Sequence, residues 1–163
     1  MNNNKFLQEN GLQSKSVFFT VVLFEYHQFI QRKVLYKDAA NLGVQIFTQL
    51  QFFGFSKNLP EVLGEERAAR IMVTREWLDA GINVALGSDT PTSPWQDPQP
   101  TLTLRGAVQR VDGNGDPYHT DQEMTIQEAL HAHTMGSAHA AFEENNKGSL
   151  SPGKFANRGG HRL

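Results

Sequence analysis

Residues 17–24 (VFFTVVLF) are β-branched or aromatic almost throughout. A run of that length predicts a strand buried on both faces, as in a parallel sheet. Residues 34–42 (VLYKDAANL) predict a short helix stopped by Gly43. In residues 44–50, Val44, Ile46 and Thr48 alternate with Gln45, Phe47 and Gln49, the period of two expected for a strand. Residues 60–80 predict the longest helix. Pro60 sits near its start, and Glu61, Glu65 and Glu66 suit the positive end of the dipole. Ala68, Ile71, Met72 and Leu78 give an apolar stripe, and Gly81 comes next as the stop. Residues 82–86 (INVAL) predict a third strand that runs into Gly87-Ser88-Asp89. A loop with Pro91, Pro94, Pro98 and Pro100 comes next, and then a helix over 101–110. The stretch 112–121 (DGNGDPYHTD) is an exposed turn region. Thr125-Ile126-Gln127-Glu128 is a capping box that opens a helix running to about Phe142, and Lys147 to Lys154 is a turn-rich connection.

Alternation of strands and helices in this order predicts βα units on a parallel sheet, an α/β fold. Three strands cannot close an eight-stranded barrel, which takes roughly 250 residues. Composition is compatible with a packed core, with 39% hydrophobic and 20% charged residues in a chain of 163. The net charge of −2 carries no basic stripe, so nucleic acid is not an expected partner. The chain has no cysteine, which excludes disulfides and thiolate metal sites and fits a reducing compartment. Residues 1–13 lack the pattern of a secretory leader, and the apolar run of 17–24 is far short of the roughly 20 residues needed to span a bilayer. The expectation is a cytoplasmic protein with no membrane partner.

Asp89 is the leading candidate for chemistry. It comes directly after an apolar strand, and sites in βα folds stand at the carboxyl ends of strands. A carboxylate there can hold a metal or take a proton from water. The plainer reading is a turn former ahead of Pro91. His27, in Glu25-Tyr26-His27-Gln28 at the end of the first strand, is the second candidate, because a neutral imidazole binds zinc well. Its plainer reading is a backbone-bonded histidine. His131 and His133 point about 200° apart on a helix, and His139 lies more than two turns from His131, so packing and surface roles are expected for all three. Gly113-Asn114-Gly115 lacks a following GK[ST], and Asp112 to Asp121 lacks the twelfth-position Glu of a calcium loop, so both read as turns. Trp95 and Phe52 are read either as pocket lining or as packing.

The stretch LGEERAARIMVTREWLDAGINVALGSDTPTSPWQDP resembles the last helix and strand of the amidohydrolase superfamily, most like its amidohydrolase-3 or YtcJ-like group. The motifs are Glu66 to Arg70, Leu78 to Gly81 and Gly87 to Pro91. After them come Met124 to Leu130, Ala141 to Glu144 and Lys147 to Lys154, so the likeness spans roughly residues 24–156. It implies the last three βα units of a partial TIM-like barrel over 17–145, with the remnant of a small β-rich domain in 146–163 and a poorly ordered segment at 1–16. It implies a hydrolase of carbon–nitrogen bonds other than peptide bonds that acts on a small amide-like substrate. The resemblance implies a divalent metal, usually zinc, with Asp89 as ligand and base; His27, one residue from the family's histidine position, stays the second candidate ligand on its place at the strand end. Three departures stand out. No histidine precedes His27, and Tyr26 occupies the position of the family's strand-six histidine. After Ala156 the family's apolar strand is replaced by NRGGHRL. The expectation is therefore an incomplete piece of such an enzyme, with a non-catalytic derivative or an interaction module as the alternative.

Overall fold

A computed structural model of the chain describes residues 33–55, 59–89, 91 and 99–155. The predicted strand 17–24 and His27 lie outside the described residues, as does Trp95. The first helix forms where the sequence predicts it, as a 3₁₀ turn Lys33–Leu35 leading into α1 (Tyr36–Asn41). Gly43 then takes a φ of +70°, which reverses the chain without a side-chain clash. The amides of Gly43 and Val44 satisfy the carbonyls of Ala40 and Ala39, both at 3.0 Å.

Among the described residues the apolar pattern yields two strands, β1 (Gln45–Thr48) and β2 (Asn83–Leu86), and they pair in parallel. The register sets Gln45 opposite Asn83 and Thr48 opposite Leu86, and the Gly87 amide extends the ladder to the Thr48 carbonyl at 3.2 Å. The predicted strand 44–50 is shortened at both ends, by the turn that ties the Val44 amide to Ala39 and by the 3₁₀ turn Leu50–Phe55. Its alternation does not become one dry face and one wet face. Gln45 and Gln49 are buried along with Ile46 and Thr48. Gln45 is satisfied in the sheet, where its Oε1 accepts from the Asn83 amide at 2.5 Å and its Nε2 donates to the Gly43 carbonyl at 3.2 Å.

The single helix expected over 60–80 is instead three short ones: α2 (Leu59–Leu63), α3 (Glu65–Ala68) and α4 (Thr74–Asp79). Gly64, at φ +79° and ψ 152°, makes the first break. The second is at Met72, which takes φ +50°. A helix broken inside the core exposes carbonyls that must find partners. The freed Met72 carbonyl accepts from the Thr74 amide at 2.8 Å and from Arg110 Nη1 at 2.9 Å. Arg110 is fully buried, its guanidinium 4.1 Å from the Phe53 ring centroid, and desolvation pushes its pKa down to about 10. Of the predicted stripe, Ala68, Ile71 and Met72 are buried and Leu78 is half-buried, around a kink rather than along one cylinder. Trp77 of α4 is wholly enclosed by the same core, and Phe52 packs against it.

Beyond β2, α5 (Pro100–Gln109) begins on a proline, whose missing N–H would be unpaired there anyway. It lies across the Leu50–Phe55 turn at Gly106, where a Cβ would stand 2.4 Å from the Leu50 carbonyl oxygen. The turn region closes on Asp112, whose Oδ1 accepts from the amides of Asn114 and Asp116 at 2.7 and 3.0 Å. The last helix opens as α6 (Ile126–His131), passes through a wide π-type turn at Ala132–Gly136 and resumes as α7 (Ser137–Ala140). The π-type turn lies on β2. Asn83 Nδ2 donates to the Gly136 carbonyl at 3.1 Å, and Ser137 Oγ donates to the Leu86 carbonyl at 3.0 Å. A π-type turn inside a helix needs a tertiary reason, and here it is the close approach of Gly136 to the strand, with a Cβ position 2.4 Å from the Val84 oxygen.

The predicted capping box is present. Thr125 Oγ1 accepts from the Glu128 amide, and Glu128 Oε2 accepts from the Thr125 amide at 2.8 Å. Glu128 also accepts from both Nη atoms of Arg75, at 2.8 and 2.6 Å, which ties α4 to α6. The Arg75 guanidinium, outweighing partial burial, holds the Glu128 carboxyl down at about 2. A carboxyl lowered in the folded state stabilises fully above its ordinary pKa and loses that contribution as pH falls through the folded value. The window here runs from the ordinary value of 4.5 down to about 2. Screening at this partly exposed site keeps the contribution near ~1 kcal/mol. Urea unfolding at pH 6 and pH 3 should therefore show a drop about 1 kcal/mol smaller in Glu128→Gln than in the parent chain. Equal drops would remove Glu128 from the acid response.

Candidate functional site at the carboxyl ends of the strands

Both described strands point the same way, so the segments that leave Thr48 and Leu86 meet at one end of the sheet. From β1 come Thr48 itself, then Gln49 and Gln51. From β2 come Gly87, Ser88 and Asp89. Such an end is polar by construction, since the last strand carbonyls and the first loop amides gather there.

Asp89 stands in the left-handed region at φ +52°, a conformation that Asp tolerates better than most residues. Its Oδ2 is buried and has no hydrogen-bond partner among the described residues. Thr48 Oγ1 and Gln49 Oε1, at the same end of the sheet, share that condition. An unsatisfied buried acceptor costs about 1–3 kcal/mol, so three at one end of the sheet point to a place kept for something other than stability. Beside them Gln51 is hydrogen-bonded at both polar ends of its side chain. Its Nε2 donates to the Ser88 carbonyl at 2.5 Å, and its Oε1 accepts from Thr103 Oγ1 of α5 at 3.0 Å.

Asp89 is thus where the sequence places it, at the end of a strand. The histidines of the last helix lie elsewhere. His131 is exposed, and His139 is exposed with Nδ1 3.7 Å from a Glu144 carboxylate oxygen. His133, in the π-type turn, is half-buried with an unpartnered Nε2. Among the described residues no three His, Cys, Asp or Glu side chains are grouped to hold a metal ion. None of their helices is long and apolar enough to cross a membrane. Gln51 and Thr103 are absent from the candidates read from sequence. Gly106 was the available signal for the packing around them, because a glycine inside a predicted helix needs a packing reason.

A small parallel sheet with a buried, unspent carboxylate at its carboxyl end defines an α/β protein of the kind whose sites are built on strand-end loops. The chain belongs to the amidohydrolase family, whose model matches residues 8–157. It is 31% identical over 140 residues to the N-substituted formamide deformylase of Arthrobacter pascens, covering 85% of this chain and 25% of that protein. It is 35% identical over 82 residues to the imidazolonepropionase of Bdellovibrio bacteriovorus, covering 50% of this chain and 17% of that protein. A crystal structure of a metal-dependent hydrolase from Pyrococcus horikoshii superposes with a TM-score of 0.65 at 29% identity, over 77% of this chain and 25% of that one. The chain thus spans about a quarter or less of the length of the relatives it matches.

Proposed function

We propose that this chain is the part of a metal-dependent hydrolase of non-peptide carbon–nitrogen bonds that carries the last strand of a (β/α) barrel and its carboxylate. The observation that carries the reading is Asp89, with its buried Oδ2 left without a donor at the end of β2. Family membership supports the reaction class, and the metal-dependent neighbour supports a divalent ion. Zinc is our choice of ion, with a small amide-like molecule as substrate. A bound zinc brings the pKa of water to about 7, within reach of a carboxylate base. Asp89 fits such an ion as one ligand. A catalytic zinc takes about three, so the described residues do not make a complete site, and the other ligands would have to come from outside them. His27 remains our second proposed ligand.

The incomplete ligand set among the described residues favours one further reading, a non-catalytic amidohydrolase-derived segment. Zinc titration of the chelator-treated chain separates the possibilities. Weak uptake, below one zinc per chain, is expected, and Asp89→Asn should abolish it together with any hydrolysis of an N-substituted formamide. Uptake that is unchanged by Asp89→Asn would take the residue out of the site.

A further inference from the structure

We infer that Gln51 and Thr103 are positioning residues for Asp89, a polar strut that fixes the peptide carrying its carboxylate. The inference rests on the reading of Asp89 given above. Asp89 is held in a left-handed conformation that costs free energy unless its surroundings enforce it. The Gln51 amide reaches across from the end of β1 and donates to the Ser88 carbonyl, half of the Ser88–Asp89 peptide, at 2.5 Å. A free glutamine would turn about its own χ angles. This one is buried, and its other end is pinned by Thr103 Oγ1 at 3.0 Å, from a fully buried threonine on α5. The α5 backbone is itself fixed against β1's exit by the contact of Gly106 with Leu50.

The chain of contacts therefore runs from a rigid helix through two side chains to one carbonyl. No donor in it is spent on the Asp89 carboxylate, whose Oδ2 stays free for a ligand. Groups that orient a ligand without touching the ion are worth about 10- to 100-fold in metal affinity.

The test compares Gln51→Leu, Thr103→Val and Thr103→Ser in the full chain. Thr103→Val keeps the shape and loses the hydroxyl, whereas Thr103→Ser keeps the hydroxyl. The first readout is the close intraresidue contact between the Asp89 amide and α protons, which a positive φ produces. It should weaken in Gln51→Leu and Thr103→Val and persist in Thr103→Ser. The second is broadening of the Asp89 signals by Mn²⁺, whose midpoint should rise about tenfold or more in the same two variants and stay put in Thr103→Ser. Should Gln51→Leu fail to fold, the threonine pair alone carries the comparison.

Unchanged proton contacts in well-folded Thr103→Val would overturn the strut. If the parent chain shows no selective Mn²⁺ broadening at Asp89 while the proton contact still responds to the variants, the metal role of Asp89 fails and the strut survives. Loss of the proton contact in Thr103→Ser to the same degree as in Thr103→Val would mean that shape, not the hydroxyl, holds the turn, and would also overturn it.

Discussion

Trp77→Ala should destabilise the chain by about 4 kcal/mol, the largest single loss expected from a core truncation here. Trp77 is wholly buried and belongs to the same hydrophobic core as Ala68 of α3, Ile46 of β1 and Val84 of β2. Truncation removes the transfer free energy of an indole and leaves a void that α4 cannot close. One face of that helix is tied to α6 through Arg75, and Arg70, just before the Met72 break, pairs with its Glu76 at 2.8 Å. Urea unfolding followed by far-ultraviolet circular dichroism measures the loss. Val62→Ala, at a side chain 76% exposed, is the control and should stay within about 0.5 kcal/mol. A Trp77→Ala loss below about 1 kcal/mol would mean that the core is not centred on this residue.

Gly136→Ala comes next, with an expected cost of about 3 kcal/mol from overpacking against backbone. The new methyl would stand 2.4 Å from the Val84 oxygen, and a strand carbonyl cannot swing aside as a side chain can. Relief requires the π-type turn to lift off β2, breaking the bonds from Asn83 to Gly136 and from Ser137 to Leu86. Those two bonds brace the strand that leads to Asp89, so the variant should lose stability and zinc uptake together. Gly54→Ala, where an added Cβ meets nothing within 4 Å, should change neither by more than about 0.5 kcal/mol in the same titrations. Equal behaviour of the two glycine variants would show that the helix does not rest on the strand in this way.

The sequence was informative wherever the determining contacts are local. The Gly43 and Gly81 stops, the Thr125–Glu128 box and the Asp112 turn are set by neighbours a few residues apart, and all are present; the helix read over 101–110 begins one residue earlier, on Pro100. Asp89 was legible for the same reason, as the first carboxylate past an apolar run. Features decided by long-range contacts could not be read. The apolar stripe through Ala68, Ile71 and Met72 fits one long helix, and nothing near it in the chain announces the break. The partner that stabilises the break is Arg110, 38 positions further on. The burial of Gln45 depends on Asn83, and the role of Gln51 on Ser88 and Thr103, at separations of 37 to 52 residues. The predicted histidine ligand, His27, is outside the described residues.

Parallel pairing of β1 with β2 also dictates an order of events during folding. No hairpin can join strands that run the same way. Gln45–Thr48 must wait for Asn83–Leu86 until the intervening turns and helices have coiled back, and closing so wide a loop is slow. During synthesis, therefore, the backbone donors and acceptors of Gln45–Thr48 emerge well ahead of their partners. In that interval the edge that will face Asn83–Leu86 is open to pairing with a neighbouring chain.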